Sequence, residues 1–143
     1  MMDITPKPGD RARSSGASYP ACMESTGTGA VVHLIAELTG IAPAQLHDRA
    51  LLGGLLIAAA GAAGLHAAHP PTLHTHGVRG VDAFLLLDGG HASVHAQAPQ
   101  HSLLLDLLAH EPVDLARALD VFRRRLAPAA VSAERIVRTS RPS

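Results

Sequence analysis

The chain has 143 residues, enough for one domain with a single packed core. Lys and Arg together number 12, as do Asp and Glu, so the formal net charge is zero. This balance gives no sign of a nucleic-acid or anionic-membrane partner. With no Trp, one Tyr and two Phe, the core must be built from Leu, Val, Ile and Ala.

The N-terminal segment differs in composition from the rest of the chain. Residues 1–28 hold four Ser, three Gly and three Pro with little apolar periodicity, which predicts a flexible extension. The single Cys22 cannot form an intrachain disulfide, and no secretory signal is visible, so we expect a cytoplasmic protein. The domain is predicted to cover residues 29–138, followed by a tail at 139–143.

The first strand and the first helix are predicted just after this segment. Residues 30–38 are rich in β-branched side chains and alternate in polarity, which favours a strand. Residues 44–65 follow the 3.6-residue period of a helix. Its last 16 residues carry no charge, but a membrane span needs roughly 20 apolar residues, so we predict a helix packed on a soluble core.

The remaining pattern predicts a sheet. A second helix is predicted to start at Pro112 and to end near Leu126, because proline is tolerated in the first helical turn. The spacing of the central strands is that of hairpins, so the expected fold is an α+β two-layer sandwich, an antiparallel sheet with helices packed on one face. The further strands are predicted at residues 65–76, 81–87, 91–97, 102–108 and 131–137.

Histidine is the unusual residue of this chain. There are ten, and eight lie between His66 and His110. His74 and His76 are two residues apart, so on a strand they would share a face about 6.6 Å apart and could supply two metal ligands. No spacing matches a recognised zinc signature. The alternative is that these histidines are ordinary polar residues on strands.

Residues 73–110 resemble the central block of the bacterial S-adenosylmethionine decarboxylases, and the alignment needs no gap from His74 to His110. The likeness covers roughly residues 30–137. The matched positions are Gly80-Val81-Asp82 at the family's Gly-Val-Ser/Thr turn, Gly89-Gly90-His91 at its Glu-Ser-His, His95 at its second histidine, Asp106 at its strand aspartate and His110 at its cysteine.

The resemblance implies an α+β sandwich, dimeric protomers and a role in spermidine synthesis. Members of the family cleave themselves between the Glu and the Ser, and the serine becomes the pyruvoyl group that serves as their cofactor. By this resemblance, Gly90, His95 and His110 occupy catalytic positions. Asp82 and His76 are the expected substrate-binding residues, for a ligand similar to S-adenosylmethionine.

Several of the matched positions depart from the family pattern. Gly90 has no hydroxyl to attack the preceding carbonyl, Gly89 replaces the glutamate, and His110 replaces the cysteine that resembles a proton donor. Gln97-Ala98-Pro99 stands where the family has Trp-Pro-Glu. We therefore predict a family member that does not cleave itself and forms no pyruvoyl group.

Three interpretations of such a protein remain open from the sequence. The first is a degenerate or regulatory homologue that forms a homodimer or pairs with an intact paralogue, with no nucleic-acid or membrane partner. The second is a metal-binding module with ligands drawn from His74, His76, His95 and His110. The third is an enzyme that uses His110 and Asp82 on another small molecule without a covalent cofactor.

Overall fold

The computed structural model of the chain describes residues 29–139. The predicted flexible segment 1–28 and residues 140–143 lie outside this range. The strands are β1 (Ala30–Thr39), β2 (Thr72–His76), β3 (Gly80–Leu87), β4 (Gly90–Gln97), β5 (Ser102–His110) and β6 (Ala130–Thr139). The helices are α1 (Pro43–Leu46), α2 (Arg49–Ala62) and α3 (Leu115–Leu126), with one 3-10 turn at Ala98–Gln100.

All six strands belong to one antiparallel sheet with the order β2-β3-β4-β5-β1-β6. Burial alternates along the strands, as in β1, where Val32, Leu34, Ala36 and Leu38 are buried and the residues between them are more exposed. The buried side of the sheet packs against the helices. This arrangement confirms the predicted two-layer α+β sandwich with the helices on one face.

Helix α3 covers the sheet through a narrow apolar stripe. Its buried residues recur at the helical period, while Arg123, Arg124 and Arg125 lie in the last turn. Basic side chains at that end also suit the negative end of the helix dipole. The buried residues of α3 are Leu115, Ala118, Leu119, Phe122 and Leu126.

The prediction of one helix over residues 44–65 is wrong in detail, because the structure has two helices there. The chain leaves helical geometry at Asp48, whose Oδ1 accepts a hydrogen bond from the backbone N–H of Leu51 at 3.0 Å. This is an N-cap, which begins a new helix at Arg49. Within residues 29–139, no helix is long and apolar enough to span a bilayer.

The predicted start of the last helix at Pro112 is also wrong. Helix α3 begins at Leu115, after Asp114, whose φ of −108° is not helical. The backbone N–H of Val113 is instead donated to Oε2 of Glu111 at 3.3 Å, which holds this segment in a turn. The strand predicted at 65–76 is interrupted, because Ala67 forms only an isolated bridge with Leu87 before Pro70-Pro71. Continuous pairing begins at Thr72.

Phe122 is the largest fully buried side chain of the core. We expect Phe122→Ala to lower the free energy of unfolding by about 3–5 kcal/mol, because the cavity left in a close-packed core adds to the lost apolar transfer. Denaturant unfolding followed by circular dichroism measures this loss. The control is Val78→Ala, at a turn residue that is 76% exposed, which should change stability by less than about 0.5 kcal/mol. Equal losses in the two variants would contradict the assignment of the core.

Candidate functional site

The face of the sheet opposite the helices carries the polar and ionisable side chains, and we call it the open face. On β1, β3, β4 and β5 its positions alternate with the buried core positions. Because the strands pair in antiparallel register, open-face residues of neighbouring strands lie directly opposite one another. The open-face residues with ionisable side chains include His33, Glu37, His74, His76, Asp82, His91, His95, Asp106 and His110.

Asp82 is the centre of one polar cluster on this face. Its Oδ2 lies 2.5 Å from Nε2 of His76, and its Oδ1 lies 3.1 Å from Nδ1 of His95. The ring of His74 meets that of His76 edge to face, with centroids 4.6 Å apart. Arg79 is also within hydrogen-bond reach of the His76 ring. The structure thus brings together four sequence-predicted site residues, namely Asp82, His76, His95 and His74.

A shallow depression of about 360 Å³ lies beside this cluster. It is lined by Asp82, His74 and His95 on the polar side, and by Phe84, which is 42% exposed. An exposed aromatic ring beside a carboxylate offers a stacking surface and a charge to one ligand. Phe84 was not among the residues predicted from the sequence, although its place at an alternate position of the predicted strand was a usable signal.

The turn between β3 and β4 is built by Gly89 and Gly90. Gly89 has a φ of +82°, a conformation that residues with a Cβ rarely adopt. At Gly90 a Cβ atom would lie 2.0 Å from the backbone oxygen of Leu108 and 3.2 Å from Cα of Ala109. A separation of 2.0 Å from the Leu108 oxygen is far below a van der Waals contact. The backbone of β5 therefore occupies the place where a side chain at residue 90 would begin.

His110 lies beside this turn, but His95 does not. A Cβ atom on Gly89 would lie 2.9 Å from Cδ2 of His110. His95 is five residues beyond Gly90 on the same strand, so it lies about 16 Å away along the strand. The three predicted catalytic positions therefore fall at two separate places on the sheet.

The residues at the turn do not fit a pyruvoyl group. Such a group would be formed from the residue at position 90, and Gly90 supplies no side-chain oxygen. The close approach of Leu108 leaves no space for a larger residue with this backbone. No chemical step through that group is derived for this chain.

A second polar cluster lies between these two places. His33 Nε2 contacts Oδ1 of Asp106, and the ring of His91 meets the ring of His33 edge to face with centroids 6.4 Å apart. From the sequence, His91 and Asp106 were matched to the family pattern without an assigned role, and His33 was not predicted as a site residue. The alternation within the first strand could have placed His33 on the open face, but no local pattern indicates which strand β1 pairs with.

Comparisons with known proteins agree with this fold. The family model described as S-adenosylmethionine decarboxylase matches residues 32–139. The crystal structure of the adenosylmethionine decarboxylase from Aquifex aeolicus VF5 superposes with a TM-score of 0.72 at 20% sequence identity, over 81% of this chain and 96% of that chain. The search among curated proteins found no significant match. The match of the family model over most of the sequence shows that the chain belongs to the S-adenosylmethionine decarboxylase family.

Proposed function

We propose that this protein is a member of the decarboxylase family that stays uncleaved, forms no pyruvoyl group and serves polyamine biosynthesis as a non-catalysing homologue. The observation that carries the proposal is Gly90, which stands at the position of the family's cleaved serine. A hydroxyl is the nucleophile that such self-cleavage requires, and glycine has none.

The surroundings of Gly90 support the same proposal. A single lost serine could be reversed by one substitution, but here the backbone oxygen of Leu108 occupies the place of the missing Cβ atom. Gly89 also adopts a φ of +82°, which the glutamate of the family pattern would adopt only with strain. The geometry of the turn thus favours glycine at both positions, which supports the proposal that the chain does not cleave itself.

The first prediction for this function concerns self-cleavage. Mass spectrometry of the purified wild-type chain should give one intact species near 14.8 kDa. Gly90→Ser should also remain uncleaved, because the added side chain must displace the β5 backbone rather than reach a reactive geometry. Overpacking of this kind should lower stability by at least about 1–3 kcal/mol.

The matched control is Gly54→Ser, since a Cβ atom at Gly54 would meet nothing within 4 Å. This variant should keep wild-type stability within about 0.5 kcal/mol. Two fragments from a cut beside Gly89 in the wild-type protein would refute the proposal. Efficient cleavage of Gly90→Ser would refute the part of it that rests on the close approach of Leu108.

The ligand that we propose for the depression beside Asp82 is a small molecule similar to S-adenosylmethionine. This class of ligand carries an aromatic base and a positively charged sulfonium. Phe84 offers a half-exposed ring to the base, and Asp82 offers a carboxylate to the positive charge. His76, the other expected substrate-binding residue, lies against Asp82.

Asp82→Asn should weaken the binding of S-adenosylmethionine about tenfold, because a hydrogen bond or contact to a charged group contributes about 1.5–3 kcal/mol. Isothermal titration calorimetry measures this change. Asp88→Asn is the control, since Asp88 is an exposed turn residue outside the depression. Equal affinity in wild-type and Asp82→Asn would exclude this role for Asp82.

We also propose that the open face is covered by a second copy of this chain, or by an intact homologue in the same position. Five large apolar side chains of this face are 37–44% exposed, which is more than a solvated sheet face normally carries. The face also holds both carboxylates and imidazoles, so two copies related by a two-fold axis could pair opposite groups. The five side chains are Ile35, Phe84, Leu86, Leu104 and Ile136.

Leu104→Arg should convert the dimer to a monomer, because it places a charge in the middle of the apolar surface. Sedimentation equilibrium measures the mass, which should be twice 14.8 kDa for the wild type and 14.8 kDa for the variant. Ile57→Arg is the matched control, since Ile57 is 50% exposed on a helix on the other side of the protein. A wild-type monomer, or a dimer lost only in Ile57→Arg, would contradict this interface.

A further inference from the structure

We propose that His33, His91 and Asp106 form a binding site for one divalent transition-metal ion of the zinc class. These residues come from β1, β4 and β5, which are adjacent in the middle of the sheet. The site is distinct from the histidines that the sequence suggested as ligands, and it does not depend on the proposed function.

The strand register places the three side chains around one point. Leu108 of β5 lies directly between His91 on one neighbouring strand and His33 on the other. Asp106 is two residues from Leu108 on the same strand, so it lies on the same face. The two imidazoles thus lie on opposite sides of β5. The carboxylate is on β5 itself, two residues along the strand from the position between them.

The distances suit one ion. One ring nitrogen from each histidine and one carboxylate oxygen lie within 4.8 Å of one another. Ligands at the usual zinc distances of about 2.0–2.2 Å in a tetrahedron are about 3.4 Å apart. The direct contact between His33 Nε2 and Asp106 Oδ1 opens to admit the ion, while strand pairing holds the three backbones in place.

The surroundings hold the ligands on one side and leave the other side open. The ring of Phe84 stacks on that of His91, with centroids 5.5 Å apart and planes 25° from parallel, which restrains the His91 imidazole. The side chains of His33 and Asp106 are 23% and 40% exposed. Three protein ligands with solvent on the outer side give an incomplete coordination shell, the arrangement of a site that keeps a position for water or substrate.

Acidic side chains near Asp106 favour a cation. Asp106, Glu37 and Glu134 line a shallow depression of about 450 Å³ on the open face. Their combined negative potential raises the local concentration of cations. Two imidazoles and one carboxylate are the donor set preferred by zinc and by neighbouring first-row metals, rather than by Mg²⁺ or Ca²⁺, which prefer oxygen ligands.

The Asp82 cluster is the competing site on this face, and its geometry is less suitable. His76 and His95 contact different oxygens of the same carboxylate, so the carboxylate separates the two imidazoles. Within residues 29–139, the group His33, His91 and Asp106 is the one whose three donor atoms lie together. His76→Ala is therefore a matched control, because it removes another histidine that is bound to an aspartate on the same face.

The test uses the full chain without a histidine tag, freed of metal with a chelator and titrated with Zn²⁺ in competition with a chromophoric chelator. The wild type should bind one ion per chain. His91→Ala and Asp106→Asn should weaken binding by about 100-fold or more, and His76→Ala should leave it unchanged. Circular dichroism of each variant checks that it is folded.

A second measurement needs no variant. In the nuclear magnetic resonance spectrum of the wild-type protein, Zn²⁺ should shift the ring signals of His33 and His91 and leave those of His74 and His76 in place. The proposal is overturned if no ion binds at one equivalent, if His76→Ala abolishes binding, or if the shifted rings belong to the Asp82 cluster. None of these results bears on whether the chain cleaves itself, which mass spectrometry decides separately.

Discussion

The pairing of β5 with both β4 and β1 is the constraint on which the arrangement of the open face depends. Asp106 lies between Ser93 and Ile35, and Leu108 lies between His91 and His33. A slip of one residue in either register would turn a whole row of apolar side chains to solvent, so the buried face holds the register in place. The polar cluster of the open face exists because the core on the other face fixes the strands.

Strand β5 also explains why residue 90 accommodates only glycine. Where β5 passes that turn, its Leu108 oxygen lies at the position that a Cβ atom would need. This close approach lets β4 and β5 stay paired as far as His91 and Leu108. The chain thus combines regular pairing of two central strands with a position where only glycine fits, and a side chain cannot be added there without opening that pairing.

Much of the fold followed from the sequence because burial is periodic in strands. Five of the six strands were placed within about two residues, the exception being β2, and the two-layer arrangement followed from hairpin spacing. The errors came from local hydrogen bonds that compete with helix formation. Asp48 caps a new helix inside a continuous apolar pattern. Glu111 accepts a hydrogen bond from Val113, and this holds the segment after Pro112, which was predicted to be helical, in a non-helical conformation.

The site was predicted less completely, since its residues are joined by pairing across strands rather than along one. One cluster comes from three consecutive strands, β2, β3 and β4, so the hairpin spacing could predict that its residues lie close together. These residues are His74, His76, Asp82 and His95. His33 is 73 residues from Asp106 in the chain, and no short-range signal connects them. The tight approach at Gly90 was equally hidden, because it depends on where the backbone of a third strand passes.

The two polar clusters of the open face and the turn at Gly90 differ in the side chains that they offer for chemistry. Gly90 carries no side chain at the position that the resemblance assigns to the cleaved serine, whereas His91, His95 and Asp106 take part in specific contacts. A second copy covering the open face would enclose both clusters, and a metal ion or ligand bound there would then stabilise the dimer by linkage. The proposed ligand site, metal site and dimer surface therefore all lie on the open face, whereas the turn supplies no reactive side chain.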